Sequence, residues 1–494
     1  MSLKRQTVWS MLPLLSVTVV NIISVPLFYR YLGAEMYALW FYVITFIGVF
    51  GFMDLGIGVA VGRYMGVALG RGDLKAVREY WGTGNAIVLP LLALMALIFT
   101  CLGVWFGPLW FNVAPASVSL LRWSFVAGGA GLFLSYYCQY WLILSQAHLD
   151  FKFLGILRNA VSLLQVIPSI PLAWATGNPL VLVIWGVSIL LLQLAVFIWH
   201  AHKRYGLLFN LGDAAWARAR EMAAYTGKIF VSVLVNSVTG SVDRLVLGRL
   251  APAADFTRYA ISTNVGGRIQ GLSVAVMGPV FNQTNRAVGS GDGTSPATVY
   301  NETFDFTFPW YLLVSVWVAI WHPVLLRLWL GPELGSAVSP LFVPVITASC
   351  LTAISSISSA QLGSLNRVGT GLIFNLATAC LLMLGAYFGW HWGGVVGVAW
   401  AYLVSRTAVV AQDFFVIAHV KAGGWLAMNT WKQVVGQVAL GLAFSATMIL
   451  WPRESFWQLI PATLHALMVT AWLLRKTLRK RLLKINDDFA PRPA

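Results

Sequence analysis

Charge is what this chain has least of. Asp, Glu, Lys and Arg make up 10% of its 494 residues, where soluble domains carry roughly 25%. Hydrophobic residues make up 59%, and the mean hydropathy is +0.76. That balance excludes a soluble globular protein and implies an integral membrane protein with many spans. Acidic residues are the scarcer sign, 17 against 33 Lys and Arg, for a net charge of +16. The excess does not read as a nucleic-acid surface, because most of the basic residues lie in loops assigned to one side of the membrane. The four cysteines, Cys101, Cys138, Cys350 and Cys380, are isolated. They offer no CxxC metal site and no disulfide framework, and read as small apolar side chains. A nucleotide-binding GxxxxGK[ST] loop is missing: Gly227-Lys228 is followed by Ile229 and lacks the upstream glycine. There is no HExxH, no GxSxG and no carboxylate pair at catalytic spacing, so the chain does not read as an enzyme. His391 and His465 stand alone and read as structural or interfacial. The longest connection, His202 to Ala224, is too short for a soluble domain, which begins at roughly 50 residues.

What is present is a series of apolar runs, about 14 of them at roughly 20 residues per span. Six fall near 8–29, 37–59, 83–106, 120–144, 156–176 and 180–200. Six more fall near 225–248, 258–282, 304–329, 339–363, 371–390 and 394–418, and a last pair near 434–451 and 457–474. The first run has a basic start like a signal peptide but no small-residue cleavage site, so it reads as a retained span. Arg71, Lys75, Arg78, Lys203, Arg204, Arg218, Arg220 and the tail RKTLRKRLLK place both termini in the cytoplasm by the positive-inside rule. The tail also reads as attraction to anionic lipid.

The two halves resemble each other. GlyArgGlyAsp at 70–73 pairs with GlySerGlyAsp at 289–292, and TrpPheGlyPro at 105–108 with TrpLeuGlyPro at 329–332. TyrLeuGly at 31–33 with Tyr37 pairs with LeuGly at 247–248 and Tyr259. Six spans per repeat is an even number, so the copies would be parallel, with a substrate site expected at their interface. The fold expected is an all-α membrane protein of two parallel six-helix lobes around a central cavity, plus a C-terminal helix pair. The corresponding domains are a first lobe at 1–200, a cytoplasmic linker at 201–224, a second lobe at 225–420, and the extra pair with its basic tail at 421–494.

Charges at membrane depth are costly and usually face a polar cavity or a partner. Arg268 and Arg406 lie mid-span at matching depth. Their planar donor forks suit phosphate or carboxylate, or else fix the packing through carbonyls and carboxylates. Arg244 and Lys228 are further candidates for a substrate anion, although Asp243 can neutralise Arg244 and Lys228 can snorkel to the interface. Asp54 and Asp243 are candidates for ion coupling; Asp305 and Asp413, near inner span ends, weigh less. Small-residue runs (GGAG at 128–131, GG at 266–267, SSISSAQLGS at 355–364, GGVVGVAWA at 393–401) permit close helix contact. Trp105, Trp110, Trp329, Trp390 and Trp392 read as interface anchors.

FYRYLGAEMYALW, DLGIGVAVGRYMGVALGRGD and VDRLVLGRLAPAADFTRYAIS, with the twofold six-span repeat, resemble the Wzx-type flippases. These form the polysaccharide transporter branch of the multidrug/oligosaccharidyl-lipid/polysaccharide exporter superfamily. The resemblance implies a flippase moving an undecaprenyl-pyrophosphate-linked oligosaccharide across a bacterial inner membrane by alternating access. It implies H+ or Na+ as coupling ion, no other cofactor, and membrane lipids, a polysaccharide polymerase and chain-length machinery as partners. A cation-coupled multidrug exporter and a lipid II flippase of the same superfamily are the alternatives. The mid-depth charges are basic, which counts against the exporter.

Overall fold

A computed structural model describes residues 3–51, 57–148, 150–289, 295–365 and 367–427, and beyond them 431–432, 434–436, 439, 460, 463–465 and 467–468. The side chains of 3–19, 21–22, 59, 224–233, 272, 274–289 and 368 are outside this description. The described residues are mostly helical, with no strand among them. Among the described residues, eight helices are long and apolar enough to cross a membrane: Ile23–Val49, Leu74–Trp110, Pro115–Ala147, Phe151–Thr176, Pro179–Tyr205, Pro296–Leu330, Pro332–Ser364 and Gly369–Val420. The 52-residue stretch Gly369–Val420 turns back at Gly393–Gly394, where Gly394 has φ 57°. It therefore holds the two expected spans at 371–390 and 394–418. The spans expected at 225–248 and 258–282 are helical but not among these eight, the first being interrupted between Thr239 and Val242, and most of the final pair lies outside the described residues.

The chain forms two compact units, Met1–Ala260 with Leu382–Val398, and Ile261–Leu381 with Ala399–Ala494. The first contains α1 (Leu3–Val49), α2 (Ile57–Gly70), α3 (Leu74–Trp110), α4 (Val118–Ala147), α5 (Phe151–Val166), α6 (Ser169–Thr176), α7 (Pro179–Tyr205), α8 (Trp216–Thr239) and α9 (Val242–Leu250). Gly33, at φ 74°, folds α1 into two spans. In GlyArgGlyAsp, Gly72 at φ 71° makes the turn and Asp73 caps α3 by accepting the Ala76 N–H at 3.0 Å. Both positive φ angles need glycine.

Aromatic packing holds the middle of this unit. Trp81 stacks on Tyr140 at 4.7 Å and meets Trp141 edge-on at 5.1 Å. The Trp81 Nε1 donates to the Leu208 carbonyl, and the Ala215 N–H donates to Thr83 Oγ1 at 2.9 Å. These bonds lay the connection between α7 and α8 along α3. A Cβ at Gly82 would strike the Asn210 carbonyl, so glycine lets the two backbones touch. At GGAG, Gly128 and Gly129 bring α4 against Phe99 and Thr100 of α3, the close contact the small residues permit.

The second unit is built on α10 (Ala253–Gly289) from Ile261 onward, α11 (Pro296–Leu330), α12 (Pro332–Ser364), α14 (Thr407–Val420), and the two ends of α13 (Val368–Ser405). Pro332 opens α12 directly after Gly331, a position where its missing N–H costs nothing. TrpLeuGlyPro thus joins two helices without a loop. Its counterpart TrpPheGlyPro differs, because α3 runs on to Trp110. Gly335 packs its backbone against the Leu326 carbonyl. Cys138 and Cys350 are buried, Cys101 and Cys380 exposed.

Candidate functional site

The stretch holding Asp243 and Arg244 is a broken helix. Residues Thr-Gly-Ser at 239–241 end α8 and start α9. The Arg244 guanidinium donates to the Gly240 carbonyl at 2.5 Å, satisfying an acceptor freed by the break. Asp243, in the first turn of α9, is 2% exposed. Its Oδ2 accepts the Tyr259 hydroxyl at 2.6 Å. A cation at a helix C-terminus and an anion at an N-terminus both match the helix dipoles. Asp243 and Arg244 form no ion pair with each other; each serves its own helix end. Both belong to the first unit.

That unit also gathers two of the basic segments. Lys75, Arg78 and Glu79 of α3 face Gly212–Ala215 across an open cleft of about 490 Å³. Beside it, Arg218 Nε donates to Glu79 Oε2 at 3.1 Å and its Nη1 to the Tyr80 hydroxyl at 2.9 Å. The Tyr80 hydroxyl donates to Glu221 Oε2 at 2.8 Å, and the Arg218 guanidinium lies 4.6 Å over the Tyr80 ring. The Glu79 hydrogen bond holds the Arg218 guanidinium above its ordinary titration range.

The second unit holds Arg268 and Arg406. Arg406 sits between α13 and α14, is 7% exposed, and lies 4.3 Å over the Tyr402 ring. Its Nε is buried with no hydrogen-bond partner. The Tyr402 hydroxyl accepts the Gln270 Nε2 at 3.1 Å, which ties α10 to the end of α13. Arg268 is half-buried, two residues before Gln270. It makes no hydrogen bond or ion pair with a described residue, and two residues along a helix point to different faces. The structure thus joins Arg406 to Gln270 and Tyr402 and leaves Arg268 on a neighbouring face of α10. Asp54 and the Lys228 side chain lie outside the described residues.

Asp413 is wholly buried in α14. Its Oδ2 accepts Ser355 Oγ at 2.5 Å and Trp425 Nε1 at 3.1 Å, while Oδ1 is buried without a partner. Around it, Tyr300 and Ser358 share a hydrogen bond at 3.2 Å, and Gln412 Nε2 donates to Ser359 Oγ at 3.0 Å. The run SSISSAQLGS, expected as a packing face, is in part a polar one. Of the lone histidines, His465 accepts from Trp321 Nε1 at 3.4 Å inside the second unit, and His391 is exposed beside the Tyr387 carbonyl.

Solved structures of the same fold are membrane transporters. The lipid II flippase MurJ, in an inward closed conformation, superposes with a TM-score of 0.71 at 13% identity, over 95% of this chain and 99% of that one. An inward-facing multidrug resistance MATE family transporter of the MOP superfamily gives 0.66 at 16%, over 82% and 94%. A MOP superfamily transporter from Pyrococcus furiosus, described by the reverse polarity of its binding pocket, gives 0.61 at 14%, over 84% and 95%. The fold is therefore that of the MOP superfamily transporters, and the chain is a multi-pass membrane protein. No curated protein matches the chain. Residues 3–284, more than half of it, match the model of the polysaccharide biosynthesis protein family. The chain belongs to that family.

Proposed function

We propose that the protein is a flippase for an undecaprenyl-pyrophosphate-linked oligosaccharide in the bacterial inner membrane, with both termini in the cytoplasm. The observation that carries this reading is Arg406: a guanidinium nearly removed from water, set over an aromatic ring, with a donor unused. Such a group suits a phosphate, which accepts two parallel N–H bonds from one guanidinium. Tyr402 holds the guanidinium plane, and Gln270 holds Tyr402 through its hydroxyl. Arg268, on the same helix as Gln270, adds a second positive charge. The pyrophosphate or an acidic sugar would be held here while the lipid tail stays in the bilayer. Alternating access coupled to H+ or Na+ is energetically adequate, since one charge crossing 100 mV yields about 2.3 kcal/mol.

The test is glycan analysis of a deletion strain complemented with the wild type, Arg268→Ala or Arg406→Ala. The expected result is loss of a surface polysaccharide, accumulation of its lipid-linked unit inside, and rescue by the wild type alone. A normal glycan profile with altered drug sensitivity would favour a multidrug exporter. Growth arrest with accumulated lipid II would favour the peptidoglycan-precursor reading.

A further inference from the structure

We propose that Asp413 is a proton-binding carboxyl, taking its proton on Oδ1, and that its protonation sets how firmly the segment after α14 is held.

Three observations carry this. First, the carboxyl is sealed. Asp413 has no exposed surface, and no ion pair joins it to a described lysine, arginine or histidine. A buried carboxylate without a cation is strongly disfavoured and neutralises instead. Second, the two oxygens are unlike. The hydrogen bonds from Ser355 Oγ–H and Trp425 Nε1–H both go to Oδ2, with Ser358 close beside the carboxyl, whereas Oδ1 is buried with no hydrogen bond of its own. This is the pattern of a carboxyl whose one oxygen accepts and whose other carries or releases a proton. Third, the surroundings do not suit a metal ion. An alkali cation needs several oxygen ligands, and one of the two groups bonded to Asp413 is an indole N–H, which donates only. Among the described residues no group of three metal-ligating acidic, histidine or cysteine side chains exists.

Titratable and charged side chains lie on all three packed elements. On α11 they are Tyr300, Glu302, Asp305, Tyr311, His322 and Arg327; on α12, Glu333 and Cys350; on α14 and its caps, Arg406, His419 and Lys421. Tyr300 joins the cluster through Ser358. His419 and Lys421 are exposed, and His419 stacks on Phe415.

The consequence runs through Trp425. Its ring meets Phe304 edge-on at 5.3 Å and Phe308 at 5.1 Å, in the short helix Gly424–Leu426. Asn301 Oδ1 accepts the Gly423 N–H at 2.8 Å and the Gly424 N–H at 3.0 Å. Gly424 has φ 42°, and a Cβ there would press on Ile417 and Tyr300. The segment is thus fitted closely to α11 and α14, with Asp413 as its buried anchor. A charged Asp413 grips Trp425 more tightly than a neutral one, because hydrogen bonds to ionised groups are the stronger. Proton binding would loosen this anchor and proton loss would tighten it. That consequence for transport rests on the gradient-coupled flippase reading; the proton site itself does not.

The experiment is infrared spectroscopy of the purified full chain in lipid nanodiscs, titrated with pH in the absence of any substrate. The expected result is a carboxylic C=O band that fades as pH rises and is missing in Asp413→Asn. Trp425→Phe removes a donor to the charged form, so the band should persist to higher pH, with proton affinity up about tenfold. A wild-type spectrum without that band, or one unchanged in Asp413→Asn, overturns the proposal. Should Asp413→Asn fail to accumulate, Ser355→Ala and Trp425→Phe decide it, and an unshifted titration in both overturns it. Binding of 22Na+ that Asp413→Asn abolishes would overturn the proton in favour of a metal ion. Because no lipid-linked sugar is used, failure of the flippase reading leaves this result standing, and the converse holds too.

Discussion

Replacing Arg406 by methionine separates a ligand-binding cation from a structural one, because the two roles predict opposite signs in stability. Methionine keeps the apolar stem and deletes the guanidinium. That group is 7% exposed and lies 4.3 Å over the Tyr402 ring. Losing a desolvated contact of this kind costs about 2 kcal/mol. Holding an uncompensated charge out of water costs several kcal/mol, and Arg406 Nε has no partner to offset it. The second effect is the larger, so Arg406→Met should leave the unfolding temperature unchanged or raise it. The stabilisation is capped at about 1–4 kcal/mol, the range seen when buried ionic groups give way to apolar ones. Were Arg406 instead half of a structural ion pair, its removal would strand a charge and cost about 3–5 kcal/mol. Transport should move the other way. Two charge-assisted bonds to a phosphate, at about 1.5–3 kcal/mol each, correspond to a loss of roughly 10²–10⁴-fold. Arg406→Lys, which keeps the charge but not the fork, should fall between. The assay is thermal unfolding of the purified chain, paired with flipping of a fluorescent lipid-linked oligosaccharide in proteoliposomes. A clear drop in unfolding temperature with flux retained would refute the reasoning.

The broken helix gives a second prediction. Tyr259→Phe leaves the buried Asp243 without its 2.6 Å donor and should cost about 1.5–3 kcal/mol, read as a lower unfolding temperature; an unchanged temperature would show that Asp243 is satisfied otherwise. At the basic face, Arg218→Ala removes bonds to Glu79, Tyr80 and Glu221. The arginine side chain is 32% exposed, so screening limits the loss to about 1 kcal/mol, smaller still in high salt. The double exchange Glu79→Arg with Arg218→Glu should recover part of it. The Glu79 bond raises the Arg218 titration above its ordinary value. That contribution is therefore complete below arginine's ordinary range and lost only as pH climbs through the raised one. Unfolding measured between neutral and mildly alkaline pH should show no change from this group.

The fold was legible where single residues dictate backbone. Gly33 and Gly72 mark turns that only a residue free to take positive φ makes cheaply, and Gly393–Gly394 splits one apolar stretch of 52 residues into two spans. The break at 239–241 was not legible. Thr, Gly and Ser inside VNSVTGSVDR are tolerated in membrane helices, and what fixes the break is the pairing of Arg244 with the Gly240 carbonyl, a contact with no sequence pattern. Buried charge was legible at Arg406 because arginine in an apolar run is conspicuous. Its neighbours Gln270 and Tyr402 were not, since uncharged polar residues blend into such runs. Asp413 was ranked low because a carboxylate near a span end normally reaches water. Here α11, α12 and the segment carrying Trp425 close over it. One signal pointed inward: Ser355, Ser358 and Ser359 recur at helical spacing, three and four apart, which lines hydroxyls along one face.

Arg406 and Asp413 belong to one mechanical element. Arg406 caps the start of α14 and Asp413 lies seven residues on, two turns into the helix. At 1.5 Å per residue that places them ~10 Å apart along the axis, and close to the same face. The separation is too large for an ion pair, so neither charge cancels the other, in accord with the partnerless Arg406 Nε and Asp413 Oδ1. Yet a helix of two turns is stiff over that distance. Whatever changes the grip of Asp413 on Ser355 and Trp425 bears on the same rod that carries Arg406. A proton at one end and a phosphate at the other would then communicate through displacement of α14, with no relay of side chains between them. Insertion of one alanine between Val409 and Val410 would keep both charges and rotate them about 100° apart. If the two sites are linked in this way, that insertion should uncouple transport from pH while Asp413 still titrates; transport that stays pH-dependent would break the link.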